Sequence, residues 1–121
     1  VVFYLSCESD MTHETKIDPY RSQIVARAEE NCVYIIHANT PQAFTREEDG
    51  TIVLHPGCSH GQSRIIAPDG NIVSEASIFT EETLSATLEL SKATRAFAER
   101  SRQSPLLRSW WNAGVELVEG D

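Results

Sequence analysis

The sequence predicts a mixed α/β protein in which helices cover a sheet of parallel and antiparallel strands, and three observations point to it. Between Val1 and Ala38 an apolar run, an amphipathic stretch and a second apolar run follow one another in the order of a βαβ unit. Further on, two β-type runs flank Pro68-Asp69-Gly70, where Asp-Gly tolerates the positive φ of a tight hairpin. Finally, 121 residues with 40% hydrophobic content supply one core and do not require a second domain.

Each element has its own local reason. Val1 to Ser6 is continuously apolar and β-branched or aromatic, as in a strand buried on both faces, and it ends in polar Ser6-Cys7-Glu8-Ser9-Asp10. Asp18 offers a cap and Pro19 a first helical position, so a helix is expected from about Pro19 to Asn31, with Ile17, Tyr20, Ile24 and Ala28 on one face. On its polar side Arg27 and Glu30 stand three apart and can pair. Cys32 to Ala38 reads as a second buried strand, stopped by Pro41. Residues 42–59 read as an irregular excursion apart from the short apolar Ile52-Val53-Leu54.

The hairpin strands are expected at Gln62–Ala67 and Asn71–Ala76. Leu84, Ala86, Leu88 and Leu90 alternate with polar residues, which predicts a half-buried strand. Ser91 is a plausible cap for a helix from Lys92 to about Ser101. Pro105 is expected to open a last short helix that Gly114 ends, with the 104–121 tail docking through Trp110 and Trp111 on the body or on a partner subunit.

Charge and composition narrow the function. Eighteen acidic against ten basic residues give a net charge of -8, which repels phosphate backbones and anionic lipid, so neither nucleic acid nor a membrane is the expected partner. No apolar run approaches the ~20 residues of a spanning helix. Three separated cysteines, Cys7, Cys32 and Cys58, fit reduced thiols and a cytoplasmic setting. The chain opens inside a strand pattern and its one methionine is Met11, so further sequence is expected ahead of Val1.

Among reactive side chains, His55, Cys58 and His60 invite a zinc reading, but four protein ligands are not at hand and no metal or other cofactor is expected. His13 reads as solvated and His37 as a satisfied core histidine. Cys7, at a strand end facing a crevice, is the best-placed nucleophile on position alone, although it needs a base that the neighbouring Glu8 and Asp10 do not clearly supply. It reads equally well as a small polar lining of a pocket.

The order Ala26-Arg27-Ala28-Glu29-Glu30-Asn31, then Ala38-Asn39, then Ser59-His60-Gly61-Gln62-Ser63-Arg64-Ile65-Ile66-Ala67-Pro68-Asp69-Gly70 resembles the nitrilase, or carbon-nitrogen hydrolase, superfamily. Its motif positions here are Arg27, Glu30, Asn31, Asn39, His60, Gly61, Ser63, Pro68 and Gly70. The resemblance spans nearly the whole chain and matches the C-terminal half of the family's catalytic domain. It implies the C-terminal part of a four-layer α-β-β-α sandwich, in a cytoplasmic homo-oligomeric hydrolase acting on a small amide or nitrile-type substrate.

The family's glutamate base, lysine and cysteine nucleophile, which work through a thioester, all precede the matched segment. The resemblance therefore gives Leu5, Ser6 and Cys7 pocket-lining roles and leaves Cys7 a minor candidate nucleophile. Lys16 and Lys92, the two lysines, match no catalytic position. The fragment alone is expected to be inactive. The other reading from the same resemblance is a non-catalytic assembly or binding module.

Overall fold

The computed structural model describes residues 1–6, 14–55 and 59–119, with only the backbone described over 14–19. Its element order is β1 (Val2–Leu5), α1 (Glu14–Asn31), β2 (Ile35–Ala38), β3 (Phe44–Arg46), β4 (Ile52–Leu54), β5 (Arg64–Ile66), β6 (Ile72–Glu75), a single 3-10 turn (Leu90–Lys92), α2 (Ala96–Gln103) and α3 (Arg108–Glu119). Four strands form one sheet in the order β1-β2-β5-β6. β1 runs parallel to β2, with Val2 opposite Ile35 and Leu5 opposite Ala38, while β5 is antiparallel to both β2 and β6. The mixed sheet and its βαβ unit are thus as the sequence predicts.

The core lies between α1 and one face of this sheet. Ile24, Ala28, Val33, Ile35 and Ile66 form the buried cluster, with Tyr20 and Val25 against it. Full burial of an Ile or Val side chain contributes about 1.5–3 kcal/mol, so these few side chains dominate the hold of α1 on the sheet. The helix ends in a paired motif: Val33 N–H donates to Ala28 O and Cys32 N–H to Glu29 O, both at 3.0 Å. Cys32 takes the left-handed position (φ 49°) that glycine usually fills there. The helix starts at Glu14, ahead of the Asp18-Pro19 cap that the sequence suggests.

The β5–β6 hairpin turns at Ala67–Gly70, where Gly70 N–H donates to Ala67 O at 2.9 Å and Gly70 has φ 79°. Asp69 accepts from the Asn71 backbone N–H and side chain, and these bonds hold its carboxyl below the usual range.

Five expectations are corrected. β1 is not buried on both faces: it is an edge strand with α1 on one side, and Phe3 and Leu5 are 70% and 78% exposed on the other. The excursion over 42–59 contains an ordered antiparallel hairpin, β3–β4, with Phe44 opposite Leu54. Residues 84–89 form no strand among the described residues: they follow a turn tied by Ser77, Thr80 and Glu82 and run without ladder partners, held by the Tyr34 hydroxyl donating to Glu89 O at 3.3 Å. Ser91 does not cap a helix at Lys92; its hydroxyl bonds the Glu89 carboxylate, and α2 begins at Ala96 with Arg95 (φ 54°) before it. Gly114 does not end α3, which continues to Glu119: a mid-helix glycine costs only about 1 kcal/mol relative to alanine.

Candidate functional site

The carboxyl ends of β1 and β2 lie side by side, and parallel strand ends are where α/β sheets gather ligand-binding groups. Ser6 N–H donates to Ala38 O at 3.0 Å, which fixes the end of β1 in register. The Ser6 hydroxyl lies 2.8 Å from His37 Nε2 and 3.4 Å from Asn39 Oδ1. By strand alternation Tyr4, Ser6, Ile35 and His37 share the face that α1 covers. The Tyr4 ring tilts against that of His37 with centroids 5.3 Å apart, and the Tyr4 hydroxyl meets that of Tyr20 at 2.7 Å.

Asn39 joins β2 to the segment that leads into β5. Its side-chain Nδ2 donates to Gly61 O at 2.9 Å, and its Oδ1 accepts from the Ser59 hydroxyl at 2.6 Å. Its backbone N–H donates to Ser63 Oγ at 2.9 Å, and that hydroxyl donates to Asn39 O at 3.0 Å. A carboxamide is suited to this place because it alone among the uncharged side chains offers a carbonyl acceptor and two donors. Gly61 is required too: it has φ 63°, and a Cβ there would stand 2.5 Å from Ile78 O and 2.7 Å from Ser77 O.

The structure thus brings together Ser6, Asn39, Gly61 and Ser63 of the expected residues. Leu5 points its exposed side chain away from this face, and Cys7 lies outside the described residues, as do His13 and Cys58. His60 is buried with its ring edge-on to Tyr20 at 6.3 Å, whereas His55 is exposed and bonds the Thr45 hydroxyl at 2.6 Å. Among the described residues no group of three His, Cys, Asp or Glu could hold a metal ion. Arg27, Glu30 and Asn31 serve the helix: Arg27 pairs with Glu30 at 2.9 Å and Asn31 donates to Arg27 O. Pro68 and Gly70 belong to the hairpin turn, with the Gly70 Cα facing Val25 of α1. Lys92 pairs with Glu89 at 3.0 Å, which raises its own pKa and lowers that of Glu89.

Two features escaped the sequence reading. His37 was expected as a satisfied core histidine, and it is buried, but its bond to Ser6 was not foreseen. Arg64 is fully buried in β5; its Nε donates to Gln62 O at 3.2 Å and lies 3.7 Å from Glu75 Oε2. Arg21 of α1 binds both oxygens of that same carboxylate, at 3.0 and 2.9 Å. A regular hairpin around Asp69-Gly70 would not set Arg64 opposite Glu75; a register shift at Ile65/Ile66 does so.

Comparison with known proteins adds the following. The family model described as carbon-nitrogen hydrolase matches residues 1–97. No curated protein matches the chain. Fifteen chains of solved structures do. One is the crystal structure of a carbon-nitrogen hydrolase from Helicobacter pylori G27, with a TM-score of 0.55 and 19% identity. The match covers 97% of this chain and 40% of that one, so the chain spans well under half the length of this structural neighbour. At this identity the likeness is one of fold.

Proposed function

From the premise that the chain belongs to the carbon-nitrogen hydrolase family, we propose that it is the C-terminal portion of an amidase-like hydrolase of small non-peptide carbon-nitrogen bonds. The observation that carries this reading is the match over residues 1–97. The polar cluster of Ser6, His37, Asn39, Ser59 and Ser63, at the strand ends where a substrate would sit, supports it. The proposed chemistry is thiolate attack on the carbon of the scissile bond, with a glutamate taking the thiol proton and a lysine meeting the charge that develops on oxygen or nitrogen. In this reading all three groups come from polypeptide ahead of Val1, and this chain contributes scaffold and one wall of the cavity. Ser6 and Cys7 are its proposed lining, with Leu5 contributing from the other face of β1, and the enzyme is proposed to be a homo-oligomer of the cytoplasm without a cofactor. No described helix is long and apolar enough to cross a membrane.

Ammonia release tests the proposal, measured on a panel of small amides, nitriles and carbamoyl amines. The encoded protein with the sequence preceding Val1 is compared with the 121-residue chain alone. Turnover is expected only in the former. Turnover by the isolated chain, abolished by Cys7→Ala, would show that the nucleophile has been misplaced.

The exposed Phe3 and Leu5 on β1 favour a second reading, an assembly module whose open sheet face packs on another polypeptide. A monomeric chain that is fully folded, as judged by sedimentation and hydrogen exchange, would count against it.

A further inference from the structure

Helix α3 lies beyond residues 1–97, the span matched by the family model, and the proposed chemistry makes no use of it. It has no buried residue, and Trp110, Leu117 and Val118 are 69%, 81% and 83% exposed. An α-helix turns about 100° per residue, so Trp110, Ala113, Gly114, Leu117 and Val118 share one stripe, while Arg108, Glu116 and Glu119 lie off it. The Trp110 and Trp111 rings, edge-on at 5.2 Å, stand at one end of an open groove of about 640 Å³, and Leu117 and Val118 stand at the other. Ala113 and Gly114 form its floor; a Cβ on Gly114 would meet no atom within 4 Å. A continuous apolar face of this kind on a water-exposed helix marks a contact surface.

The helix itself specifies the occupant. Trp110 and Leu117 stand three residues outside Ala113 and Gly114 on either side, and Arg108 and Glu119 five residues outside. A second α3 laid antiparallel across that small pair therefore sets each Trp110 on the other's Leu117, and the missing side chain of Gly114 lets the two backbones approach. The same two-fold axis brings each Arg108 to the other's Glu119, because the two share one flank, about 20° apart around the helix. A parallel pair would set like charges together instead. Bulk, gap and charge thus have a single common centre. An anionic lipid surface fits poorly, since Arg108 is the helix's one cation and the chain carries a net charge of -8.

We infer that α3 is an isologous docking surface that pairs antiparallel with α3 of a second copy, crossing at Ala113 and Gly114. This deepens the homo-oligomeric part of the proposed function by naming the surface, and it uses neither the hydrolase chemistry nor the open face of β1. Within one helix Arg108 and Glu119 are roughly 16 Å apart, too far to pair, so any coupling between them has to act between copies.

Sedimentation velocity over a range of concentrations, on the encoded protein with the sequence preceding Val1, tests it. The unaltered protein is expected to self-associate. Arg108→Glu or Glu119→Arg alone should weaken that association about 3-fold to 10-fold, and the double variant should restore it to within about twofold. Gly114→Leu should fill the groove and weaken association at least about tenfold, while helicity by circular dichroism holds or rises because leucine is the better helix former. A monomeric unaltered protein overturns the inference, whether Trp110 is then solvated or, by fluorescence, covered by the preceding polypeptide. Association that survives Gly114→Leu, or a double swap that fails to rescue, overturns it equally. Ammonia release without self-association would sink this inference and leave the hydrolase reading standing, whereas self-association without ammonia release would do the reverse.

Discussion

Gly61→Ala is the substitution whose cost the structure specifies most fully. Gly61 sits at φ 63°, where an L-residue pays roughly 1–2 kcal/mol for the left-handed conformation. The added Cβ would also meet two backbone oxygens, Ile78 O at 2.5 Å and Ser77 O at 2.7 Å, which cannot swing away as a flexible side chain would. The backbone must separate there. That separation strains the bonds from Gln62 N–H to Ser77 O at 3.1 Å and from Gln42 N–H to Ile78 O at 2.8 Å, each worth about 1 kcal/mol. The expected total is about 3–4 kcal/mol.

Gly50→Ala provides the control, because Gly50 has φ 88° with no atom within 4 Å of the added Cβ and so carries the conformational cost alone. Urea unfolding followed by circular dichroism measures both. At a slope of about 1–3 kcal/mol/M the two midpoints should differ by roughly 1 M. Equal losses in the two variants would refute the claim that backbone crowding, rather than φ, makes residue 61 a glycine.

Three other outcomes follow from described contacts. Glu75→Gln weakens the charge that Arg21 and the buried Arg64 share, and should cost about 2 kcal/mol by urea midpoint, while Arg27→Ala, which breaks an exposed pair, should cost under about 0.5; similar losses would contradict the role given to burial. Cys32→Gly relieves a left-handed φ at the end of α1 and should stabilise the protein by about 1 kcal/mol, and a destabilised variant would show that the thiol's packing outweighs the strain. Asp49, Asp69, Glu82 and Glu89 all have pKa values held below normal by hydrogen bonds, the first two by the N–H groups of Thr51 and Asn71. Their folded pKa is the lower one, so they stabilise above the unfolded pKa and lose that effect as pH falls through the folded value; the urea midpoint should drop below about pH 4, and an unchanged midpoint down to about pH 2.5 would reject it.

The elements that sequence patterns disclosed are those held by local chemistry. Helix α1 follows from the spacing of Ile24 and Ala28, and the β5–β6 hairpin from Asp69-Gly70. The β3–β4 hairpin carries the same signal, Asp49-Gly50 ahead of Thr51-Ile52-Val53-Leu54, and Asp49 caps Thr51 N–H just as Asp69 caps Asn71 N–H. The charged residues around it lack the alternation that marks a strand. By contrast, the alternation of Leu84 to Leu90 produced a false strand, since periodicity records which faces differ and not whether a neighbouring strand exists to pair with.

At the site, Asn39 and Ser63 could be singled out by position in a motif, and Ser6 by its place at the end of the first strand. The His37–Ser6 bond could not, because it joins residues thirty-one apart through a parallel register that only the folded sheet defines. The buried Arg64 escaped for a similar reason: its partner is set by a bulge, and a bulge leaves little trace in a sequence.

The β3–β4 excursion leaves and rejoins the body at one spot, with Gly61 N–H bonded to Thr40 O at 2.8 Å across its neck. Because Gln42 and Ser59 are tied to the body, it is the tip between β3 and β4 that can grow or shrink at little cost, since doubling a flexible loop's length adds only about 0.6 kcal/mol of closure entropy. The exposed tip at Glu47–Gly50 is therefore the natural place to splice in a peptide tag or a fluorophore, one that reports on the protein while leaving the Asn39 junction undisturbed.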